Sequence, residues 1–254
     1  MSGLHRFHLP PAATPDSPLA LTGREAHHAL DVLRLRPGDA VTILDGAGHQ
    51  FLCEITSSTR SRVSLAVKEK KFTPAPPCPV TLLTAIPKGR IETIIEKATE
   101  LGATRIVPLL TERTVVKIKP AGAADKVEKW RQVAIEAIKQ CGSPWLPQID
   151  SPLTPAEFLA RRENFELPLI ACLQPGSRTP REYFQEFQTK HQRLPRSACV
   201  WVGPEGDFTP EEYAAVQSAG AQPITLGPLV LRADTAAIYC LSVLNHELQN
   251  EKRA

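Results

Sequence analysis

The chain has 254 residues, of which 42% are hydrophobic and 22% charged, with a formal net charge of +3. That composition supports a folded core in one large domain or two small ones and excludes an intrinsically disordered polyelectrolyte. No apolar run reaches the ~20 residues of a membrane helix, residues 1–10 lack an apolar secretion segment, and the cysteines at 53, 78, 141, 172, 199 and 240 lack CxxC or zinc-finger spacing, so the expectation is a cytoplasmic protein with reduced core cysteines and no metal.

Between Thr22 and Leu35, Ala26, Ala29, Leu30 and Leu33 share one helical face, and Pro37-Gly38 ends the helix. Ala40–Leu44 and Gln50–Thr56 read as strands around the turn Asp45-Gly46-Ala47-Gly48, and Ser61–Val67 alternates in the period-2 manner of a half-buried strand. The expectation for residues 1–72 is a small β-barrel with one helix. This stretch holds nine Lys and Arg against seven Asp and Glu, and five of the seven histidines, which suits a polyanionic partner. Residues 73–79, with four prolines, read as a semi-rigid linker.

From residue 80 to 254 strands alternate with helices. Val80–Ile86, Arg105–Leu110, Leu167–Leu173, Ala198–Gly203 and Pro223–Gly227 are apolar runs of strand length. Gly89–Leu101, Lys126–Cys141 and residues 237–249 carry apolar stripes at helical spacing, while residues 146–166 and 174–197 read only as surface helices and loops. This α/β alternation predicts a mainly parallel sheet covered by helices on both faces.

Two late motifs carry chemistry. Gly203-Pro204-Glu205-Gly206-Asp207-Phe208 follows a strand and precedes a helix start, with Thr209 as N-cap, Pro210 at the first position and Glu212 completing a capping box. Such a turn at a sheet's carboxyl edge is a common ligand cradle, although it matches neither GxGxxG nor GxxxxGK[ST] and an ordinary βα turn has the same look. The second motif is Leu226-Gly227-Pro228-Leu229-Val230-Leu231-Arg232-Ala233-Asp234-Thr235-Ala236. Here Arg232 and Asp234 stand in an apolar neighbourhood, where a charge needs a partner or a use; a salt bridge or a helix cap would serve as well as catalysis.

Together these motifs resemble the RsmE family of ribosomal RNA uracil-N3 methyltransferases, within the SPOUT superfamily. His27–Arg34 with Pro37-Gly38-Asp39 is similar to the family's first domain. Lys97–Gly102, Ile106-Val107-Pro108 and Glu112-Arg113 continue the match, and Gly203–Gly206 and Leu226-Gly227 with Val230-Leu231-Arg232 are its most specific parts. The chain departs from the family at Asp207, where a glycine is usual, at Leu229, where an arginine is usual, at Ala233-Asp234-Thr235 in place of Thr-Glu-Thr, and at Ser143 and Trp145, where arginines are frequent.

The resemblance implies a PUA-like RNA-binding barrel, a SPOUT α/β domain with a deep trefoil knot, and a homodimer. It implies S-adenosylmethionine as cofactor and N3 of a uridine in small-subunit (16S) ribosomal RNA, free or in the assembled subunit, as target. Leu173, Gly203, Leu226, Gly227 and Leu231 are the implied cofactor contacts. Loss of the N3 proton leaves an anion that a fixed guanidinium stabilises, so Arg232 is the expected electrostatic catalyst, with Asp234 or Glu205 orienting it or accepting the proton. Arg6, Arg24, Arg34, Arg36, Lys88, Arg90 and Arg113 are the expected RNA contacts. Two alternatives stay open: the same fold acting on a ribose 2′-hydroxyl or a transfer RNA base, and an RNA chaperone that binds without catalysis.

Overall fold

The computed structural model describes residues 5–11, 19–89, 91–116, 118, 122–174 and 176–249. The chain divides into two compact units, residues 1–75 with 135–146 and residues 76–134 with 147–254. The first break falls inside the proline-rich stretch. Nothing in the sequence separates 135–141 from the rest of the helix they end.

In the first unit the strands are β1 (His5–His8), β2 (Ala20–Thr22), β3 (Ala40–Leu44), β4 (His49–Thr59) and β5 (Arg62–Phe72), paired in the order β1-β3-β4-β5-β2. β3, β4 and β5 form an antiparallel meander, and β1 joins β3 in parallel. The turn between β3 and β4 is organised by Asp45, only 2% exposed, whose carboxylate accepts from the Ala47 and His49 N–H groups and from His49 Nδ1. β4 and β5 outrun their apolar cores because register shifts between Leu52/Cys53 and Ile55/Ser57 reset the alternation. The expected helix over 22–35 is shorter: α1 (Gly23–His27) runs into one π turn, His28–Val32, and Arg34 adopts φ 57°. Phe7, Leu21, Val41, Ile43, Phe51, Ile55, Val63 and Leu65 form the core.

The second unit holds β6 (Val80–Ala85), α2 (Ile91–Glu100), β7 (Arg105–Leu109), β8 (Gln148–Ile149), α4 (Pro155–Ala160), β9 (Leu167–Ala171), α5 (Pro180–His191), β10 (Ala198–Val202), α6 (Pro210–Ser218), β11 (Gln222–Ile224) and α7 (Ala233–Gln249); α3 (Ala123–Cys141) belongs to both units. The sheet runs β11-β9-β10-β6-β7-β8, and every pairing is parallel. All residues of β6 and β10 are buried, as strands covered on both faces must be. Leu83, Val107, Ile170 and Trp201 pack on one face with Phe158 of α4 and Val216 of α6. Leu82, Ile106, Leu169 and Val200, which alternate with them, are also fully buried. α2 and α5 pack on α7, which lies against β6 and β10.

At the sheet margin Asp150 binds Arg105 through two hydrogen bonds of 3.0 and 2.6 Å and Arg161 at 2.8 Å. Burial alone would push its carboxyl up, but the two guanidiniums outweigh it and hold the group below the usual carboxylate range. Among the described residues all six cysteines are free, no helix is long and apolar enough to cross a membrane, and no three His, Cys, Asp or Glu side chains group to hold a metal ion.

Candidate cofactor site

Because the sheet is parallel, the loops that follow its strands emerge at one edge. β11, β9 and β10 are neighbours, so the segments after them are brought side by side. The connection from β9 leads inward to β10, and the one from β10 doubles back past β9 to β11. A crevice at such a reversal is the usual ligand position in open α/β sheets.

A shallow cleft, partly open to solvent, lies there, lined by Cys172 and Leu173 after β9, Gly203–Glu205 and Asp207 after β10, and Leu226, Gly227 and Leu229–Leu231 after β11. Ala233 and Ala236 in the first turn of α7 close it. Leu173, Gly203, Leu226, Gly227 and Leu231, the five positions expected at a cofactor, thus meet around one cavity, with Glu205 on its wall.

Each loop is held by specific contacts. A Cβ on Gly203 would meet Asp207 Oδ1 at 3.1 Å and Phe208 N at 3.2 Å, so the turn closes tightly there. Asp207 adopts φ 61°, and its Oδ1 accepts from the Phe208 N–H at 2.8 Å. That left-handed conformation accounts for the family's glycine at this position; aspartate is among the few other residues that enter it with a local hydrogen bond. Gly227 has φ 108°, and its N–H donates to Thr225 Oγ1. The segment after β7 braces the turn after β10: Arg113 Nη1 donates to the Gly206 and Phe208 carbonyls, and the Glu112 N–H donates to Glu212 Oε1 at 2.9 Å. The Thr209–Glu212 capping box is formed. Behind the cleft the Tyr213 hydroxyl lies 3.4 Å from Cys172 Sγ, and burial, then that contact, pushes its phenol up.

The expected catalytic residues are not bonded together. Arg232 is exposed, and its guanidinium makes no hydrogen bond or ion pair among the described residues. Asp234 lies inside α7, which begins four residues before its expected start. Its Oδ1 accepts from the Thr235 N–H and hydroxyl, so Asp234 neither pairs with Arg232 nor orients it here. Glu205 is exposed and accepts from the Lys88 N–H at 3.4 Å.

The expected RNA contacts divide as well. Arg113 is engaged with the loop carbonyls. Arg6 donates to the Lys139 and Gln140 carbonyls at the end of α3, and Arg24 pairs with Glu136 at 3.2 Å. Arg34, Arg36 and Lys88 are exposed, and Arg90 lies outside the described residues. The bracing role of Glu112-Arg113 was missed, since nothing local in sequence links it to a loop about a hundred residues on.

A model of an RNA methyltransferase domain matches residues 74–245, and one of an RNA methyltransferase PUA domain matches residues 21–68. The chain is 34% identical to a Synechocystis protein named ribosomal RNA small subunit methyltransferase E, over 97% of this chain and 78% of that protein. It is 29% identical to a Bacillus subtilis protein of the same name, over 91% and 90%. Among solved structures, a Legionella pneumophila methyltransferase in complex with the bound cofactor SAM superposes with a TM-score of 0.85 at 32% identity, covering 96% of this chain and 98% of the other. A Neisseria gonorrhoeae ribosomal RNA small subunit methyltransferase E bound to S-adenosyl methionine gives 0.81 at 26% identity, with the same coverages.

Proposed function

The chain belongs to the ribosomal RNA small subunit methyltransferase E family, and from that premise we propose that it methylates N3 of a uridine in 16S ribosomal RNA with S-adenosylmethionine as donor. The observation that carries this reading is the convergence of three loops on one cleft after β9, β10 and β11. Leu173, Leu226, Val230 and Leu231 offer apolar walls for an adenine and a thioether chain, and the small side chains of Ala233 and Ala236 leave room beside them. The backbone at Leu173, Gly203, Leu226, Gly227 and Leu231 supplies polar groups around them.

When bound, the cofactor supplies a methyl group already activated on a sulfonium centre, which leaves the chain the task of positioning and charge stabilisation. Methyl replaces the N3 proton, and the resulting N3–C bond takes the place of the methyl–sulfur bond. Arg232 has no internal partner among the described residues, which supports its use on the anion spread over the two uracil carbonyl oxygens. The place of Glu205 on the cleft wall supports it over Asp234 as proton acceptor. Leu173, Leu229 and Val230 border the cleft yet are 60%, 72% and 73% exposed, which supports a second copy of the chain covering them. A closed PUA-like barrel and a knotted path for the segment leading to α7 complete the proposal.

The test is Arg232→Ala, read by mass mapping of methylated uridines and by calorimetry with S-adenosylmethionine. We expect a turnover loss of about 100-fold or more, as for other lost electrostatic donors, with cofactor affinity within twofold of wild type. Retained turnover removes Arg232 from the mechanism, and a methyl group found on ribose or another base removes the uracil-N3 reading.

A further inference from the structure

The end of β5 in the first unit carries a large aromatic surface for which neither core nor cleft has a use. Phe72 is 54% exposed, yet it is firmly held. Its ring lies 4.9 Å from that of His49, its cross-strand partner, and 6.4 Å from Trp145 in an edge-on arrangement. Each neighbour is itself fixed. His49 Nδ1 bonds Asp45 at 2.8 Å, and Trp145 Nε1 donates to the carbonyls of Thr73 and Pro74 at 3.1 and 3.2 Å. Packing at Gly48 is tight enough that a Cβ would meet Trp145 at 2.7 Å and Phe72 at 2.8 Å.

A rigid, half-exposed ring costs hydration without adding to the core, and rigidity is what a stacking surface needs. Cations stand close to it in sequence. Lys70 and Lys71 immediately precede Phe72 on β5 and are exposed. Lys70 shares the Phe72 face of the strand, its Nζ 5.5 Å above the Phe51 ring and without an acidic partner among the described residues, while Lys71 points to the opposite face. Aromatic rings next to cations are the combination that single-stranded nucleic acid proteins use, the ring taking a base and the cations the backbone.

We propose that the exposed face of Phe72, backed by His49 and Trp145, is a stacking platform for one unpaired base of the RNA, with Lys70 neutralising an adjacent phosphate. The proposal rests on the reading of RNA as substrate and adds that the first unit recognises a single-stranded element. Duplex RNA keeps its bases stacked within the helix and cannot use the platform.

The test titrates the full chain, without cofactor, with a fluorescent twelve-nucleotide oligouridylate and with a duplex RNA of equal length, followed by anisotropy. Phe72→Ala should weaken oligouridylate binding by about 5- to 150-fold, the loss expected for one stacked base, and leave duplex binding unchanged. Phe72→Trp should retain binding. Phe72→Leu, which keeps apolar bulk without the ring, should lose it and guards against a folding defect in the alanine variant. Trp130 and Trp201 are only 3% and 2% exposed, so quenching of tryptophan emission on binding should report Trp145. Unchanged affinity in Phe72→Ala, equal losses on both probes, full retention by Phe72→Leu, or no oligouridylate binding by the wild-type chain would each overturn the platform. Because the assay needs no methyl transfer, failure of the methylation reading leaves its outcome intact and separately readable.

Discussion

Gly227→Ala isolates the part of the cofactor site that depends on backbone shape alone. The residue sits at φ 108°, a region that side-chain-bearing residues rarely enter, and nothing lies within 4 Å of an added Cβ. The variant therefore meets no steric clash, and its whole cost is torsional, about 1–3 kcal/mol for holding a non-glycine residue in such a conformation. Gly227 is exposed and outside the core, so the free alanine variant relaxes its loop at little cost to folding. The torsional cost then appears on binding, when the 226–231 segment must regain its shape around the ligand. The expected result by calorimetry is a dissociation constant for S-adenosylmethionine raised by about 5- to 150-fold. The melting temperature should stay within about 2 °C of wild type, the shift that a change below 1 kcal/mol produces in a chain of this size. A dissociation constant within twofold of wild type, or a lower melting temperature with unchanged affinity, would refute the claim that this turn is built for the ligand.

Removing the brace on the neighbouring loop should act differently. Arg113→Ala frees the Gly206 and Phe208 carbonyls, and we expect a raised KM for the cofactor with partial rescue by Arg113→Lys, which restores charge but not the planar donor pair; identical kinetics in wild type and alanine variant would show that the brace is idle. Stability should also fall in acid. Asp150 is held below the usual carboxylate range in the folded chain, so it binds its proton more weakly folded than unfolded. Its contribution is present above the ordinary carboxylate value of about 4 and is lost as pH falls through the depressed folded value. Chemical denaturation between pH 7 and pH 3 should show a smaller decline for Asp150→Asn than for wild type, and parallel curves would show that Arg105 and Arg161 do not stabilise the carboxylate.

The α/β alternation was legible because buried parallel strands are continuous apolar runs: Val80–Ala85, Arg105–Leu109 and Ala198–Val202 fall within the expected spans to a residue or two. β1, β2 and β8 were not, since strands of two to four residues carry too few side chains to show a period. α4 and α5 could have been found. Thr154-Pro155-Ala156-Glu157 and Thr179-Pro180-Arg181-Glu182 repeat the pattern that marks α6, and both form complete capping boxes. The turns that line the cleft were legible as motifs because tight turns after strands need glycines and capping residues at fixed points. What joins them was not, because strand order decides which loops meet, and order is a property of the sheet.

The same geometry explains why one cleft residue departs from the family pattern without disturbing the loop. At Asp207 the backbone demand is a positive φ, and glycine satisfies it with no side chain. Aspartate satisfies it at a small cost that its own Oδ1, bonded to the Phe208 N–H, offsets, and the same oxygen stands where a Cβ on Gly203 would intrude. The two positions are thus linked: a side chain added at 203 would press on the one at 207. Leu229 carries no such internal duty, being 72% exposed on the rim of the cleft, and neither does Arg232. The residues that shape the cleft are constrained by contacts within the chain, whereas Leu229 and Arg232 face outward from it. The aspartate at 207 is accordingly accommodated inside the fold, and Leu229 is left free, among the described residues, of internal contacts that would fix its identity.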